Sequence, residues 1–283
     1  MHLIDIDALI KKADELPPLP ASVVKLIGLL SSGEADVAEI TRVISFDPAL
    51  TVKLLRMANS AFSGSSMEIT TVSDAVSRLG TSRVLSLAVA SHARPVMRVQ
   101  VESYGYQEGE LWRHSVITML AAELAPRACR TAIPPAASTA ALLHDVGKLV
   151  MAVFLDPEIL DLMQRAQTEG KYTALEAEAQ ILQVHHGELG GLIARHWKLP
   201  EPIIQAITFH HNPEQGGEVI CDAVHLANQV AKHVAAKLKN KELPLVVNKD
   251  ALERLGCKPE NLAQLATDCA TSFAKVGGLF GAA

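Results

Sequence analysis

The sequence predicts an all-α protein, a multi-helix bundle with a helical N-terminal subdomain. Three observations carry this. The 283-residue chain is 49% hydrophobic and only 4% aromatic, and its apolar residues are mostly Ala, Leu and Val, two of them strong helix or core formers. Apolar positions recur at helical spacing along most of the chain. No window alternates apolar and polar for long enough to predict a sheet; only Leu245-Val246-Val247 looks strand-like.

Taken in order, Leu16-Pro17-Pro18-Leu19-Pro20 is a rigid entry into an apolar stripe of Val23, Leu26, Ile27 and Leu30, which Ser31-Ser32-Gly33 ends. Val37, Ile40, Val43 and Ile44 repeat the stripe. Asp47-Pro48 marks a new helix start, with Asp as N-cap and Pro at the first helical position. Asn59-Ser60 suits a helix cap, and Gly64 among Ser63, Ser65 and Ser66 suits a turn. Gly80 fits a C-cap and Thr81 the following N-cap. Residues 96–108, with Tyr104, Gly105 and Tyr106, read as a polar connector between subdomains.

Trp112, Val116, Met119, Leu120 and Leu124 then predict one long amphipathic helix. Pro134-Pro135 separates it from an Ala-rich helix ending at Leu142-Leu143-His144-Asp145-Val146-Gly147-Lys148. Asp156-Pro157 opens another helix, which Gly170 closes, and Thr173-Ala174-Leu175-Glu176 matches a capping box. Further helices are expected near 188–197, 201–211, 218–239, 249–256 and 259–276, with a frayed tail from Gly277. The subdomains read as 1–100, 101–240 and 241–283.

The net charge of −5 and pI of about 6.1, without a Lys/Arg cluster, argue against a nucleic-acid partner. The N-terminus is too acidic for a signal peptide, and no run approaches 18 uninterrupted apolar residues, so no membrane association is expected. Cys129, Cys221, Cys257 and Cys269 form no C-x-x-C pair, which fits buried thiols in a reducing, cytoplasmic compartment.

Eleven histidines carry the chemistry. His114, His144, Asp145, His186, His210 and His211 fall on separate predicted helices or helix ends. Imidazole nitrogen and carboxylate oxygen together suit Fe, Mn, Zn or Co, and a bundle builds such a site by aiming ligands inward from several helices. His144 and Asp145 follow an Ala-Ala-Leu-Leu run, so both would be partly buried and need partners. A metal ion meets that need. So does a hydrogen-bonded histidine network, with Glu176, Glu178 or Glu188 as partners. His2, His92, His196, His225 and His233 read as surface or half-buried, and His185 as facing solvent.

Trp112-Arg113-His114-Ser115, the Leu142 to Lys148 string, His186-Gly187-Glu188-Leu189-Gly190, Trp197-Lys198-Leu199-Pro200 and His210-His211, in that order, resemble the HD phosphohydrolase superfamily. Asp47-Pro48-Ala49-Leu50, Leu54-Leu55, Ala58-Asn59-Ser60-Ala61 and Ala75-Val76-Ser77-Arg78-Leu79-Gly80 resemble the N-terminal half of its signalling branch, the HDOD (HD-related output) domain. The resemblance covers roughly residues 15–215 and implies an HD-domain-like bundle.

The resemblance also implies a site. One metal would take His144 and Asp145 with His114, and bridging or second-metal positions would match His186, His210 and His211. The ion would make a hydroxide nucleophile from bound water, Asp145 would be catalytic, and Lys148 would contact a phosphate. Two departures count against turnover. Asn228 stands where the superfamily has a final aspartate ligand, with Asp222 six residues earlier. His210-His211 is followed by Asn212-Pro213-Glu214, without the Gly-Tyr-Pro element of the cyclic-di-GMP phosphodiesterases called HD-GYP. The implied function is a non-catalytic output module of bacterial signal transduction with a degenerate, metal-binding HD site. Its partners would be signalling proteins engaged by the N-terminal half and a nucleotide or phosphate ligand. The alternative is a metal-dependent phosphohydrolase acting on a nucleotide or other small phosphate ester. One or two divalent ions and an empty site are equally open.

Overall fold

The computed structural model describes residues 18–31, 36–60, 68–98, 100–101 and 104–282. Among the described residues all regular structure is helical, apart from one antiparallel bridge between Val101 and Tyr106. The chain is therefore all-α, as its composition predicts, and Leu245-Val246-Val247 is irregular rather than a strand. The helix stop at Ser32-Gly33, the Gly64 turn, Leu16-Pro17 and His2 lie outside the described residues.

The first described helices are α1 (Ala21–Ser31), α2 (Val37–Ser45), α3 (Pro48–Ala58), α4 (Val72–Leu79) and α5 (Thr81–Met97). Their caps follow from short polar side chains. Asp36 accepts from the Ala38 amide, Asp47 from Leu50 ahead of Pro48, and Thr71 from Asp74. Asn59 ends α3 and clamps the chain ten residues on, accepting from the Ile69 amide and donating to the Ile69 carbonyl. Gly80, at φ +79°, ends α4 and starts α5, so Thr81 is the first helical residue and not a cap. Only glycine takes that backbone without strain. α5 packs on α1, α3 and α4 with one side and on the main bundle with the other.

The bundle is built on α6 (Glu110–Leu124). The expectation of an amphipathic helix is corrected here. Leu111, Trp112, Val116, Ile117, Met119 and Leu120 are all buried and point in every direction, because different neighbours cover each face. These are α7 (Ala137–Leu143), then α14 (Val219–Leu238) and α16 (Pro259–Val276). Each such side chain contributes about 1.5–3 kcal/mol by leaving water, so α6 anchors the core.

The Ala-rich helix ends within the Leu142–Lys148 string, as expected, and a further helix follows it. α7 ends at Leu143, and α8 (Gly147–Phe154) starts after a three-residue turn. The stretch Ala137–Phe154 is apolar enough to cross a membrane by length and composition, but 83% of it is buried inside the bundle. α9 (Pro157–Thr168), α10 (Ala174–Leu182), α11 (His186–His196), α12 (Glu201–Thr208), α13 (Pro213–Gly216) and α15 (Lys249–Leu255) complete the body. The Thr173/Glu176 capping box that starts α10 is present.

The tail is not frayed. Gly277–Phe280 forms a 3₁₀ turn, and Phe280 is buried. The Trp112 indole donates to the Phe280 carbonyl at 2.9 Å and the Arg113 guanidinium to that of Ala282 at 3.2 Å. A buried indole N–H needs an acceptor, and the tail backbone supplies it.

Candidate metal centre

Glycine sets the distances here. A Cβ on Gly147 would collide with the His186 carbonyl oxygen, and one on Gly190 would press the Ile207 side chain. The start of α8 therefore lies directly against α11, and α11 against α12. This brings the turn between α7 and α8, the first residue of α11 and the loop after α12 to one point. α6 and α14 close the remaining sides with His114 and Asn228.

Asp145 lies at the centre, 1% exposed. His144 Nε2 is 3.4 Å and His114 Nε2 3.7 Å from its Oδ2. His186 Nε2 is 3.2 Å and His210 Nε2 3.8 Å from its Oδ1. His211 Nε2 is 2.9 Å from His186 Nε2. All six expected ligand residues thus converge. They form two trios, His114 with His144 and Asp145, and His186 with His210 and His211; within each the donor atoms lie within 4.8 Å of one another.

The outward nitrogens fix the tautomers. His144 Nδ1–H donates to the Ala141 carbonyl and His210 Nδ1–H to that of Ile207, at 2.7 and 2.8 Å. Each ring must then carry its lone pair on Nε2, facing inward. His144 Nε2, His210 Nε2 and Asp145 Oδ1 are buried without a hydrogen-bond partner. Three such atoms facing one buried space form an acceptor set that could hold a cation. The donors, nitrogen with one carboxylate, suit a borderline divalent ion.

Titration supports the same picture. Burial pushes the imidazole pKa values of His114, His210 and His211 down, and that of His144 down to about 4. These shifts favour the neutral rings. Burial opposes the Asp145 carboxylate, but the surrounding His144 and Lys148 hold it well below the usual range. His186 is the exception. Burial disfavours its cation, yet the Glu178 carboxylate, 2.7 Å from Nδ1, outweighs this and raises its pKa.

Sequence reasoning named Glu178 only among three alternatives. The structure selects it. Glu178 is fully buried and also accepts from the His186 amide at 2.7 Å, whereas Glu176 and Glu188 cap α10 and α11. His185 is the N-cap of α11, its Nδ1 accepting from the Gly187 amide at 3.1 Å. His225, expected near the surface, is buried; it donates to the His210 carbonyl at 2.9 Å and accepts from the Asn248 amide. It therefore holds the His210 loop in place. Asn228 Oδ1 lies 3.1 Å from His114 Nε2. Asp222 faces away and pairs with Arg254 at 2.7 and 2.9 Å.

The connector expected at 96–108 is part of the site. Tyr104 donates to Glu178 and reaches Met151 Sδ. Tyr104 and Tyr106 lie 5.1 and 5.5 Å from the Lys148 ammonium, within cation–π reach. The only available signal was a Tyr-Gly-Tyr element in a chain with three tyrosines. Lys148 itself pairs with Asp145 Oδ2 at 2.7 Å; burial disfavours its cation, but Asp145 and Tyr106 outweigh this and raise its pKa.

Comparison with known proteins agrees with this architecture. An uncharacterized protein of Treponema pallidum is 27% identical over 238 residues, which is 82% of this chain but 45% of that protein; the chain thus spans about half the length of this curated relative. A crystal structure of a presumptive phosphohydrolase from Shewanella amazonensis is 26% identical with a TM-score of 0.65, over 96% of this chain and 95% of the other. That of a presumptive signal transduction protein from Marinobacter aquaeolei shares the fold, with a TM-score of 0.76 at 19% identity over 98% of this chain and 64% of that one. The HDOD domain family matches residues 16–213, well over half of the sequence, and the chain belongs to that family.

Proposed function

We propose that the chain is a regulatory output module of signal transduction, whose His/Asp cluster binds divalent metal without turning over phosphate esters. The Lys148–Asp145 ion pair carries this reading. An ammonium 2.7 Å from Oδ2 already neutralises the carboxylate on which the hydrolytic reading relies, with Tyr104 and Tyr106 within cation–π reach of it. Asn228, a neutral amide, stands beside His114 where a carboxylate would add charge to hold a second ion. The orphaned His144 Nε2, His210 Nε2 and Asp145 Oδ1 support metal binding by these residues, with His114, His186 and His211 completing the two trios. Bound there, a divalent ion would supply Lewis acidity; the chain's own residues orient it and exclude water. Partner docking is assigned to the N-terminal helices, where Phe46 is 83% and Val52 56% exposed.

The second reading, a metal-dependent phosphohydrolase, is favoured by the likeness to the Shewanella protein named for that activity. The test separates the two. Tag-free protein purified without chelators is assayed for bound metal by plasma mass spectrometry. The same preparation is offered a chromogenic phosphodiester and cyclic dinucleotides with Mn or Fe. Stoichiometric metal that is lost in His144→Ala and Asp145→Ala, without turnover, is the expected result. Turnover that disappears in both variants makes the chain a hydrolase.

A further inference from the structure

Outside the histidine cluster, the described surface holds a cavity of about 290 Å³ between the start of α6, the last two turns of α14 and the segment after it. Its charge is one-sided. Arg113, Lys232, Lys239 and Lys241 line it against a single carboxylate, Glu110, in a chain whose net charge is −5. Glu110 is already engaged by Lys239 at 2.6 Å. Lys232 makes no ion pair or hydrogen bond among the described residues, although it is only partly exposed. It lies one turn beyond Asn228 on α14, and its pKa is lowered by burial and by the nearby Lys148. Asp145 opposes this only in part; a half-buried ammonium near a second one, with no carboxylate in direct contact, is an unfavourable arrangement that an anion relieves.

The lining also has an aliphatic part. Ala235, Leu238 and Leu243 form it, and Leu238 and Leu243 are 53% and 43% exposed. Large apolar side chains left in water at the rim of a cationic cavity mark a binding surface with two chemistries. His114 is shared between this cavity and the histidine cluster.

We propose that this cavity binds a small amphiphilic anion, with a phosphate or carboxylate head on Lys232, Arg113 and Lys241 and an apolar body along Leu238 and Leu243. The cavity is not built from the cluster, since of the six cluster residues only His114 borders it. Through His114, which belongs to both, occupancy would be linked to the cluster.

The experiment is calorimetric titration of the full chain at low salt with hexyl phosphate, hexanoate, inorganic phosphate and hexanol, with metal content measured on each preparation. Hexyl phosphate or hexanoate binds, hexanol does not, and inorganic phosphate binds more weakly than its hexyl ester. The relative strengths of the two hexyl probes identify the head group. Lys232→Met weakens the amphiphile by about tenfold or more, the value of one charge-assisted contact, and Lys232→Arg restores it. Leu243→Ser weakens hexyl phosphate but not inorganic phosphate. Lys241→Met, at an exposed position, repeats the charge test without disturbing the core. No binding of either amphiphile overturns the proposal. So does equal binding of hexyl and inorganic phosphate, or affinity indifferent to both lysines. A metal-free preparation that still binds the amphiphile separates this site from the metal reading.

Discussion

The Lys148 ammonium lies 2.7 Å from Asp145 Oδ2, while Oδ1 of the same carboxylate is buried with no hydrogen-bond partner. One carboxylate therefore faces a fixed cation through Oδ2 and the His186 and His210 rings, at 3.2 and 3.8 Å, through Oδ1. The pair is buried on both sides, with Lys148 at 7% exposure. Breaking such a pair leaves an uncompensated charge, at a cost of about 3–5 kcal/mol.

Lys148→Met is accordingly expected to destabilise the metal-free chain by about 3 kcal/mol. With His186 as the remaining neighbour that can carry charge, Asp145 would gain more from a divalent ion, so added Zn or Mn should raise the melting temperature of the variant more than that of the wild type. Thermal melts of both proteins, with metal and with chelator, measure this. An equal metal response in the two proteins would show that Lys148 and the ion do not share the carboxylate.

How far this was legible in the sequence varies by residue. His114, His144, Asp145, His186, His210 and His211 could be named because each sits in a short string whose chemistry is local. Glu178 and Tyr104 could not be singled out. Neither belongs to such a string, and they meet His186 only because α10 and the segment before α6 fold against it. The helices at Asp47-Pro48 and Thr173 were legible because capping is a three-residue property. The burial of α6 on all faces was not, because it depends on three helices distant in sequence. The docked tail was missed for the same reason: its glycines suggest fraying, while its acceptor value to Trp112 is a tertiary fact.

The depressed imidazoles make a prediction about acid. His114, His210 and His211 titrate below their ordinary value of 6.5 in the folded chain, and His144 at about 4. Unfolded rings take up protons below about pH 6.5 while folded ones do not. Stability is thus fully present above pH 6.5 and is lost as pH falls toward the folded values, by up to about 1.4 kcal/mol per ring per pH unit. His186, with a raised pKa, opposes this only in part. Metal-free protein should unfold cooperatively between about pH 6.5 and 4, as circular dichroism would record. Retention of the full fold below pH 4 would show that these rings are protonated in the native state.

Trp112 and the last residues provide a test of the corrected tail. Deleting residues 277–283 removes the Phe280 side chain from the core and leaves the indole N–H without its acceptor. The combined loss is about 3–5 kcal/mol, from large apolar truncation and an unsatisfied buried donor. Urea melts would read it as a lower midpoint. Trp112→Phe in the full-length chain, which removes the donor but keeps much of the volume, should cost less than the deletion. A deletion without effect would mean that the tail contributes no packing.

Asn228 offers a final test, on the metal itself. Its Oδ1 lies 3.1 Å from His114 Nε2, and the residue is 1% exposed, so an aspartate fits the same space. In Asn228→Asp the added charge sits in a dry cluster beside Asp145, so the metal-free variant should lose about 2 kcal/mol. The same charge attracts an ion, and metal affinity should rise by about tenfold or more, the usual reach of a residue at or next to the coordination sphere. Chelator competition gives the affinity, and melts with and without metal give the stability. Unchanged affinity would place Asn228 outside the ion's influence. Tighter metal without turnover would leave the Lys148–Asp145 pair as the remaining block on chemistry. Tighter metal with turnover of a phosphodiester would identify the single amide as what separates this cluster from a hydrolytic one.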